Sequence, residues 1–530
     1  MIKNFLLALT SGLLFALSWP TYGLSLFLFV AFVPLLLSEW NLRKAHEKHV
    51  RKKVFFNAYC TFFIFNLSTT WWLYYATPFG MWFAVLTNSI LMSSVFFMYH
   101  LIAQKTDFKT SIICLVTLWI GFEKMHLNWE LSWPWLNLGN GFSDSYKWIQ
   151  WYEYTGVFGG TLWIWIVNIL LFRAVVLFQK NSHKIRFVRQ LILAGSVVVL
   201  GVFYSLYIYH TSSESNTKTG VLVLQPNLDP YTEKYEHSNQ KMAEELVSLA
   251  TQKIDSAVSF VIAPETTLPR PRLISTFENT PEYKTIQNFV DTHRISFLSG
   301  ITFYNQYSAH EPPNKTANFY KNSKQWYNSF NSSFFTTPGR SFETYHKSKL
   351  VVGVEHTPYR SFLNPLLGSF MIDLGGLVST LSTQKERAVF TNGNESVGPI
   401  ICYESVYGAY VTEYVQKGAS FLAIITNDGW WNNSQGHKQH LSLARLRAIE
   451  NRRAIARSAN TGVSAFINSK GDVIQSLEYN QKGSIQTTLP TNTKITYYTK
   501  HGDYIYRIAM LTLVLVLLGT FTKKRKRSSK

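Results

Sequence analysis

Long apolar runs separated by short interruptions fill residues 1–209, and then the pattern changes. A helix that crosses a bilayer needs about 20 mostly apolar residues. The runs near 5–19, 23–40, 54–75, 81–103, 110–126, 157–178 and 190–209 are read as seven such helices. An eighth lies at 505–521, with Lys523, Lys524, Arg525, Lys526 and Arg527 directly after it. The first run follows Lys3, as a signal peptide would. It has no clear small-x-small cleavage site, however, and meets the second run at once across Pro20 and Gly23. It is expected to be a retained helix.

Cations between the runs predict the orientation, because cytoplasmic loops collect Lys and Arg. The 43–53 loop is strongly basic, 104–109 carries Lys105 and Lys109, and 179–189 carries Lys180, Lys184, Arg186 and Arg189. These are alternate loops. The intervening 76–80 and 127–156 loops carry little net charge. The longer holds Trp129, Trp133, Trp135, Trp148 and Trp151 and is expected along the outer surface, since tryptophan prefers the interface. Seven spans that start inside leave residue 210 outside, and the eighth returns the chain.

Between the last two spans the alternation is that of an α/β domain. GVLVLQPN (220–227), VSFVIAPET (258–266), ISFLSGITFY (295–304), VGPIICYES (397–405) and ASFLAIITND (419–428) read as buried strands. Helices are expected over 237–254, 281–293, 407–416 and 437–458, and a hairpin over 463–477 that turns at Lys470–Gly471. The polar stretch 306–328 reads as an irregular loop. The expected organisation is a transmembrane helical bundle over 1–209, a catalytic α/β domain over 218–490, a transmembrane helix over 505–521 and a basic tail over 522–530.

Composition agrees with two solvents. The 530 residues are 47% hydrophobic and 15% charged, against about 25% charged in an average soluble domain. A net charge of +20 would suit a nucleic-acid binder if it lay on one folded face. Here many of the cations flank apolar runs, so nucleic acid is not an expected partner. Of the three cysteines, Cys60 and Cys114 lie in apolar runs. Cys402 stands alone in the polar region, so no disulfide can form within that region.

Three segments of the α/β region each bring a reactive residue to or near a strand end, where sites gather in open sheets. Glu265 follows VSFVIAP, Lys347 lies in TYHKSKL, and Cys402 ends GPIIC. A thiol near its ordinary pKa is mostly protonated at neutral pH and needs a base. A carboxylate can serve, and a lysine ammonium can offset the oxyanion of a tetrahedral intermediate. Taken singly, each type is common in a bland role: cysteine as packing, lysine as a solvated charge, glutamate as a cap.

Ordered together, the three resemble the Glu–Lys–Cys triad of the nitrilase superfamily. The resemblance runs through PET, YHKxxLV, CYES, TNDGWW (426–431) and ARLRAIENRRAIARSANTGVS (444–464). The membrane half, with GLLFALSWPTYG (12–23) and WPWLNLG (133–139), is similar to the membrane-embedded branch of that superfamily, the apolipoprotein N-acyltransferases. This likeness implies an αββα sandwich and a ping-pong acyl transfer in the bacterial inner membrane, with the catalytic domain in the periplasm. Cys402 would take an acyl chain from a phospholipid as a thioester. The α-amine of a diacylglyceryl-modified cysteine on an apolipoprotein would then receive it. Glu265 would be the base and Lys347 the oxyanion partner. Glu355, Tyr403 and Glu404 match supporting residues of the family, and Tyr235 falls where the family has a tryptophan. The segment after the lysine departs from the family's His-Leu-Val-Pro and Phe-Gly-Glu, reading Lys349-Leu350-Val351-Val352 and Gly353-Val354-Glu355. The expected protein is a monomer without cofactor or metal. His437 and His440 are read as polar-face residues of a helix. Arg445, Arg447, Arg452, Arg453 and Arg457 are read as internal ion pairs with a solvated face. A membrane-tethered amidase acting on a small amide is the alternative enzyme. A transporter with a ligand-binding outer domain is disfavoured, because intramembrane charges are few.

Overall fold

The computed structural model describes residues 2–45, 47–179, 184–229, 231, 236–308, 311, 313–320, 323–359 and 380–528. Tyr235 lies outside the described residues, as do Lys180 of one basic loop and residues 529–530 of the tail. The chain divides into two compact units: Met1–Thr211 with His501–Lys530, and Ser212–Lys500.

The first unit is helical, with α1 (Ile2–Ser18), α2 (Phe32–Lys44), α3 (Val50–Thr70), α4 (Pro78–Ala103), α5 (Phe108–His126), α6 (Val157–Gln179) and α7 (Lys184–Thr211). Among the described residues, four stretches are long and apolar enough to cross a membrane: Ser25–Lys44, Pro78–Ala103, Val157–Gln179 and Lys184–Thr211. Ile2–Ser18 and Tyr504–Thr520 are shorter apolar helices. Helix α7 exposes Ile192, Val199, Leu200 and Phe203, as a helix bordering lipid does. The C-terminal helix Tyr504–Ser528 packs on α5, where Met510 lies against Gly121 and Lys124 pairs with Asp503 at 2.7 Å.

The tryptophan-rich segment leaves Trp129, Trp133, Trp148 and Trp151 partly exposed, and its middle turns inward. Pro134–Leu136 and Leu138–Phe142 form short 3-10 turns that are buried within the unit. The cause is a buried carboxylate. Glu123 of α5 accepts from the Leu138 amide at 2.8 Å, from the Trp119 indole at 3.1 Å and from the Thr161 hydroxyl of α6 at 2.7 Å. These bonds fold the segment inward.

The second unit contains two sheets. Its strands in chain order begin with β1 (Lys218–Gln225), β2 (Val258–Ile262), β3 (Leu268–Leu273) and β4 (Ser296–Gln306). They continue with β5 (Asn318–Tyr320), β6 (Gln325–Thr336), β7 (Glu343–His346), β8 (Phe390–Asn392) and β9 (Glu395–Ile401). Last come β10 (Phe421–Thr426), β11 (Ile455–Ala459), β12 (Ser464–Ile467), β13 (Val473–Leu477) and β14 (Gly483–Pro490). One sheet runs β14-β1-β2-β4-β6-β5, with β3 on β4 and β7 on β6, and the other runs β13-β12-β11-β10-β9-β8. The central pairs β1–β2, β2–β4, β9–β10 and β10–β11 are parallel.

The sheets meet face to face. Phe260 of β2 meets Phe421 of β10 edge-on at 5.2 Å, and Phe335 of β6 stacks on Phe390 of β8 at 5.0 Å. Outside the first sheet lie α8 (Asn239–Thr251) and α9 (Pro281–His293), whose Met242, Leu246, Ile286 and Val290 join Leu222, Leu224 and Phe297 in one core. The second sheet carries α10 (Gly408–Gln416) and α11 (Gln435–Asn451). The result is an αββα sandwich.

Two sequence expectations fail here for physical reasons. The helix expected over 437–458 stops at Asn451, where Arg452 turns left-handed at φ +48°. Ile455–Ala459 becomes the fully buried strand β11. A short buried strand cannot be told from a buried helix by periodicity alone. The irregular loop expected over 306–328 contains β5 and the start of β6, paired antiparallel from Asn318↔Tyr327 to Tyr320↔Gln325.

Candidate active site

The site assembles where β2, β7, β9 and β10 end, against Asn331 in the middle of β6. Glu265 follows β2 through Ala263 and Pro264, and the next residue, Thr266, is left-handed at φ +46°. Gly300 of β4 passes directly beneath this corner. A Cβ there would stand 2.3 Å from the Thr266 nitrogen and 2.6 Å from the Glu265 Cα. No side chain fits in that space.

Lys347, one residue beyond β7, is 1% exposed. Its Nζ donates to Oε1 of Glu265 at 3.0 Å and to Oε1 of Glu355 at 2.9 Å. Asn331 of β6 braces the pair, its Nδ2 donating to the same two oxygens at 2.8 and 2.9 Å. The Asn427 amide after β10 donates to Oε2 of Glu265 at 3.2 Å. Glu355 also accepts from the Val351 amide at 2.8 Å. Burial opposes the charge on Lys347, but Glu265, Glu355 and Cys402 outweigh it and hold the lysine pKa well above its ordinary value. The ammonium stays charged.

Cys402 follows β9 and is left-handed at φ +50°. Such backbone costs of order 1–3 kcal/mol and persists only where its surroundings impose it. The residue is 8% exposed. Burial first, then the Glu265 carboxylate, push the thiol pKa far above its ordinary value, while Lys347 pulls it down. This thiol does not ionise by itself at neutral pH. Its proton must pass to a neighbouring base at the moment of reaction.

A carboxylate, an ammonium and a buried thiol therefore share one electrostatic neighbourhood. A family model described as carbon–nitrogen hydrolase matches residues 223–497. The chain belongs to the carbon–nitrogen hydrolase family. A second model, described as the apolipoprotein N-acyltransferase N-terminal domain, matches residues 11–170. The chain is 28% identical to the apolipoprotein N-acyltransferase of Chlorobaculum tepidum, over 98% of this chain and 97% of that one. It is 25% identical to apolipoprotein N-acyltransferase 1 of Treponema denticola, again over 98% and 97%. Among solved structures, a Saccharomyces cerevisiae protein of branch 10 of the nitrilase superfamily is 15% identical, covering 53% of this chain and 92% of its own, with a TM-score of 0.36.

In this carbon–nitrogen hydrolase the residue pair after the thiol is structural in its contacts. Glu404 is completely buried. Its carboxylate accepts from the hydroxyls of Tyr345, Tyr410 and Tyr414 at 2.6, 2.5 and 3.2 Å, and from the amides of Ser348 and Ile401 at 2.7 and 2.9 Å. It thereby ties the turn before Cys402 to the segment after Lys347. Tyr403 is buried edge-on against Tyr407 at 5.2 Å. Glu404→Gln would turn one of these acceptor oxygens into a donor facing another donor. Bonds to charged groups are worth about 1.5–3 kcal/mol each, so a marked fall in the melting temperature of the purified enzyme is expected. An unchanged melting curve would refute this tie.

The histidines are not on a polar face. His437 and His440 are each 1% exposed. Among the described residues no group of three or more His, Cys, Asp or Glu could hold a metal. The arginine cluster likewise turns inward: Arg447, Arg453 and Arg457 are buried, Arg447 pairing with Glu450 at 2.9 Å and Arg457 with Asp428 at 2.5 Å. Sequence reasoning missed Asn331, Asn427 and Asp428. The last two lie inside the quoted TNDGWW segment, where their position at the end of a buried strand was the available signal.

Proposed function

We propose that this chain is an integral inner-membrane acyltransferase that completes lipoprotein maturation. The observation that carries the reading is the union, in one chain, of the Lys347-centred acidic cluster beside a buried thiol with a membrane unit like that of the apolipoprotein N-acyltransferases. In the first half-reaction Glu265 takes the thiol proton as Cys402 Sγ attacks the ester carbonyl of a phospholipid. The Lys347 ammonium offsets the oxyanion. The intermediate collapses to a thioester on Cys402, and the departing lysophospholipid alkoxide takes the proton from Glu265. In the second, the free α-amine of the S-diacylglyceryl-cysteine of an apolipoprotein attacks the thioester. Glu265 accepts its proton and returns it to the leaving sulfur, so that an amide and the free thiol result. Glu355 and Asn331 hold the lysine and base in register. Tyr235 and Tyr403 are assigned supporting roles, and Glu404 supports the backbone that carries Cys402. No cofactor enters these steps, and the enzyme acts as a monomer.

The proposed topology has seven spans within residues 1–209, the first starting in the cytoplasm, a periplasmic catalytic domain, and residues 505–521 as the returning span followed by a cytoplasmic basic tail over 522–530. The cation-rich alternate loops support it. A reporter active only in the periplasm should work when fused near residue 215 and fail when fused after Lys530. The reverse pattern would invert the proposed orientation.

Mass spectrometry of the purified enzyme after incubation with phospholipid tests the chemistry. An acyl adduct on Cys402 that a diacylglyceryl peptide with a free amine discharges is the expected result. Hydrolysis of small amides without any such adduct would favour the amidase reading instead.

A further inference from the structure

The left-handed backbone at Cys402 needs something to hold it. Glu404 ties down the Ile401 amide just before it. The carbonyl of Cys402 itself is held from elsewhere. The Ser405 hydroxyl donates to it at 2.7 Å. His440 Nε2 lies 2.9 Å from Ser405 Oγ and 3.3 Å from the same carbonyl oxygen. Ser405 has one hydroxyl proton, and the carbonyl takes it. Nε2 thus stands within hydrogen-bond reach of both oxygens.

His440 comes from α11 and is fixed in its turn. Its Nδ1 lies 3.0 Å from Oδ1 of Asp428 and 3.1 Å from Nη2 of Arg457. Arg457 of β11 reaches the other carboxylate oxygen at 2.5 Å, and the Thr426 hydroxyl donates to Oδ1 at 2.9 Å. The residue before Asp428 is Asn427, whose amide holds Glu265. A single turn after β10 thus reaches the carboxylate on one side and, through His440, the cysteine carbonyl on the other.

We propose that His440 is a positioning residue for Cys402. With Asp428 and Ser405 it clamps the Cys402 carbonyl, and so sets the thiol at a defined place relative to Glu265 without touching substrate. The peptide bonds of the described chain are trans, so the Tyr403 N–H points opposite to the clamped carbonyl. The inference rests on Cys402 being the nucleophile of the reaction proposed above, but not on the identity of the acyl donor.

The test uses full-length enzyme in detergent micelles with Cys60→Ala and Cys114→Ala, so that Cys402 is the sole thiol. Alkylation by iodoacetamide at neutral pH, followed by intact-mass spectrometry, reads the readiness of this thiol without any lipid. His440→Ala should slow alkylation at least about tenfold, as misplacement of a reacting group does, and should slow adduct formation from phospholipid in parallel. His440→Gln, whose amide N–H can reach the place of Nε2, should recover most of the loss. Ser405→Ala, a smaller change in case His440→Ala does not fold, should slow alkylation about fivefold, the worth of one hydrogen bond. Wild-type alkylation rates in both alanine variants would overturn the clamp. So would a folded His440→Gln enzyme as slow as His440→Ala. Slowed alkylation of the variants, in an enzyme whose parent forms no adduct from phospholipid, would uphold the positioning role and overturn the acyl-transfer reading.

Discussion

Cys402→Ala is expected to give a folded protein with neither adduct nor transfer activity. The substitution removes one sulfur from a nearly buried position and leaves the left-handed backbone and the Glu404 tie in place. Stability should change little. Rate losses on the order of 10⁶ are typical when a covalent nucleophile is removed, which would put activity below detection. Cys60→Ala and Cys114→Ala should transfer acyl chains at close to the wild-type rate. Mass spectrometry and product assays on the three variants, with circular dichroism as a control, make the comparison. An active Cys402→Ala enzyme would eliminate the thioester.

Lys347→Met is expected to slow both half-reactions about a hundredfold or more, the usual cost of losing an oxyanion partner. The structure adds a second consequence. Removing the ammonium leaves Glu265 and Glu355 bound to one Asn331 amide with no cation between them. Breaking a buried ion pair from one side costs about 3–5 kcal/mol, so the melting temperature should fall as well. Glu265→Gln separates the two roles, because it removes the base while the lysine keeps Glu355. It should form adduct some 10²–10⁴ times more slowly. The deciding measurement mixes pre-formed acyl-enzyme with a diacylglyceryl peptide that has a free amine. Discharge of Lys347→Met at the wild-type rate would leave the lysine only its structural pairing.

Local signals in the chain were sufficient for much of the fold. Helix α9 was expected over 281–293 and is found at Pro281–His293, because Thr280 caps it by accepting from the Tyr283 amide and proline suits the first turn. The hairpin expected over 463–477 is β12 and β13, turning through Asn468–Gly471. Glu265 and Cys402 follow apolar runs whose strand ends are visible in sequence, whereas Lys347 in TYHKSKL stood out only through the resemblance of the ordered motifs.

Other features depend on residues far apart in the chain. The apolar pattern at 437–458 does not record that Arg452 breaks the helix and that Ile455–Ala459 pairs with β10. The inward turn of Leu138 rests on its amide's bond to the Glu123 carboxylate, which no local pattern encodes. The two histidines and the arginines of 444–457 look polar in one dimension, and burial is affordable only because Asp428, Glu450 and backbone carbonyls arrive from other elements. Hydrophobic periodicity thus determined the helical unit and the α/β unit, and the resemblance of the ordered motifs singled out Glu265, Lys347 and Cys402 as candidates. Only the tertiary structure decided how they are held: Lys347 between two carboxylates, Glu404 under three tyrosines, and the Cys402 carbonyl under His440. A buried polar group must find its partner wherever the fold brings one, and sequence distance carries no information about that.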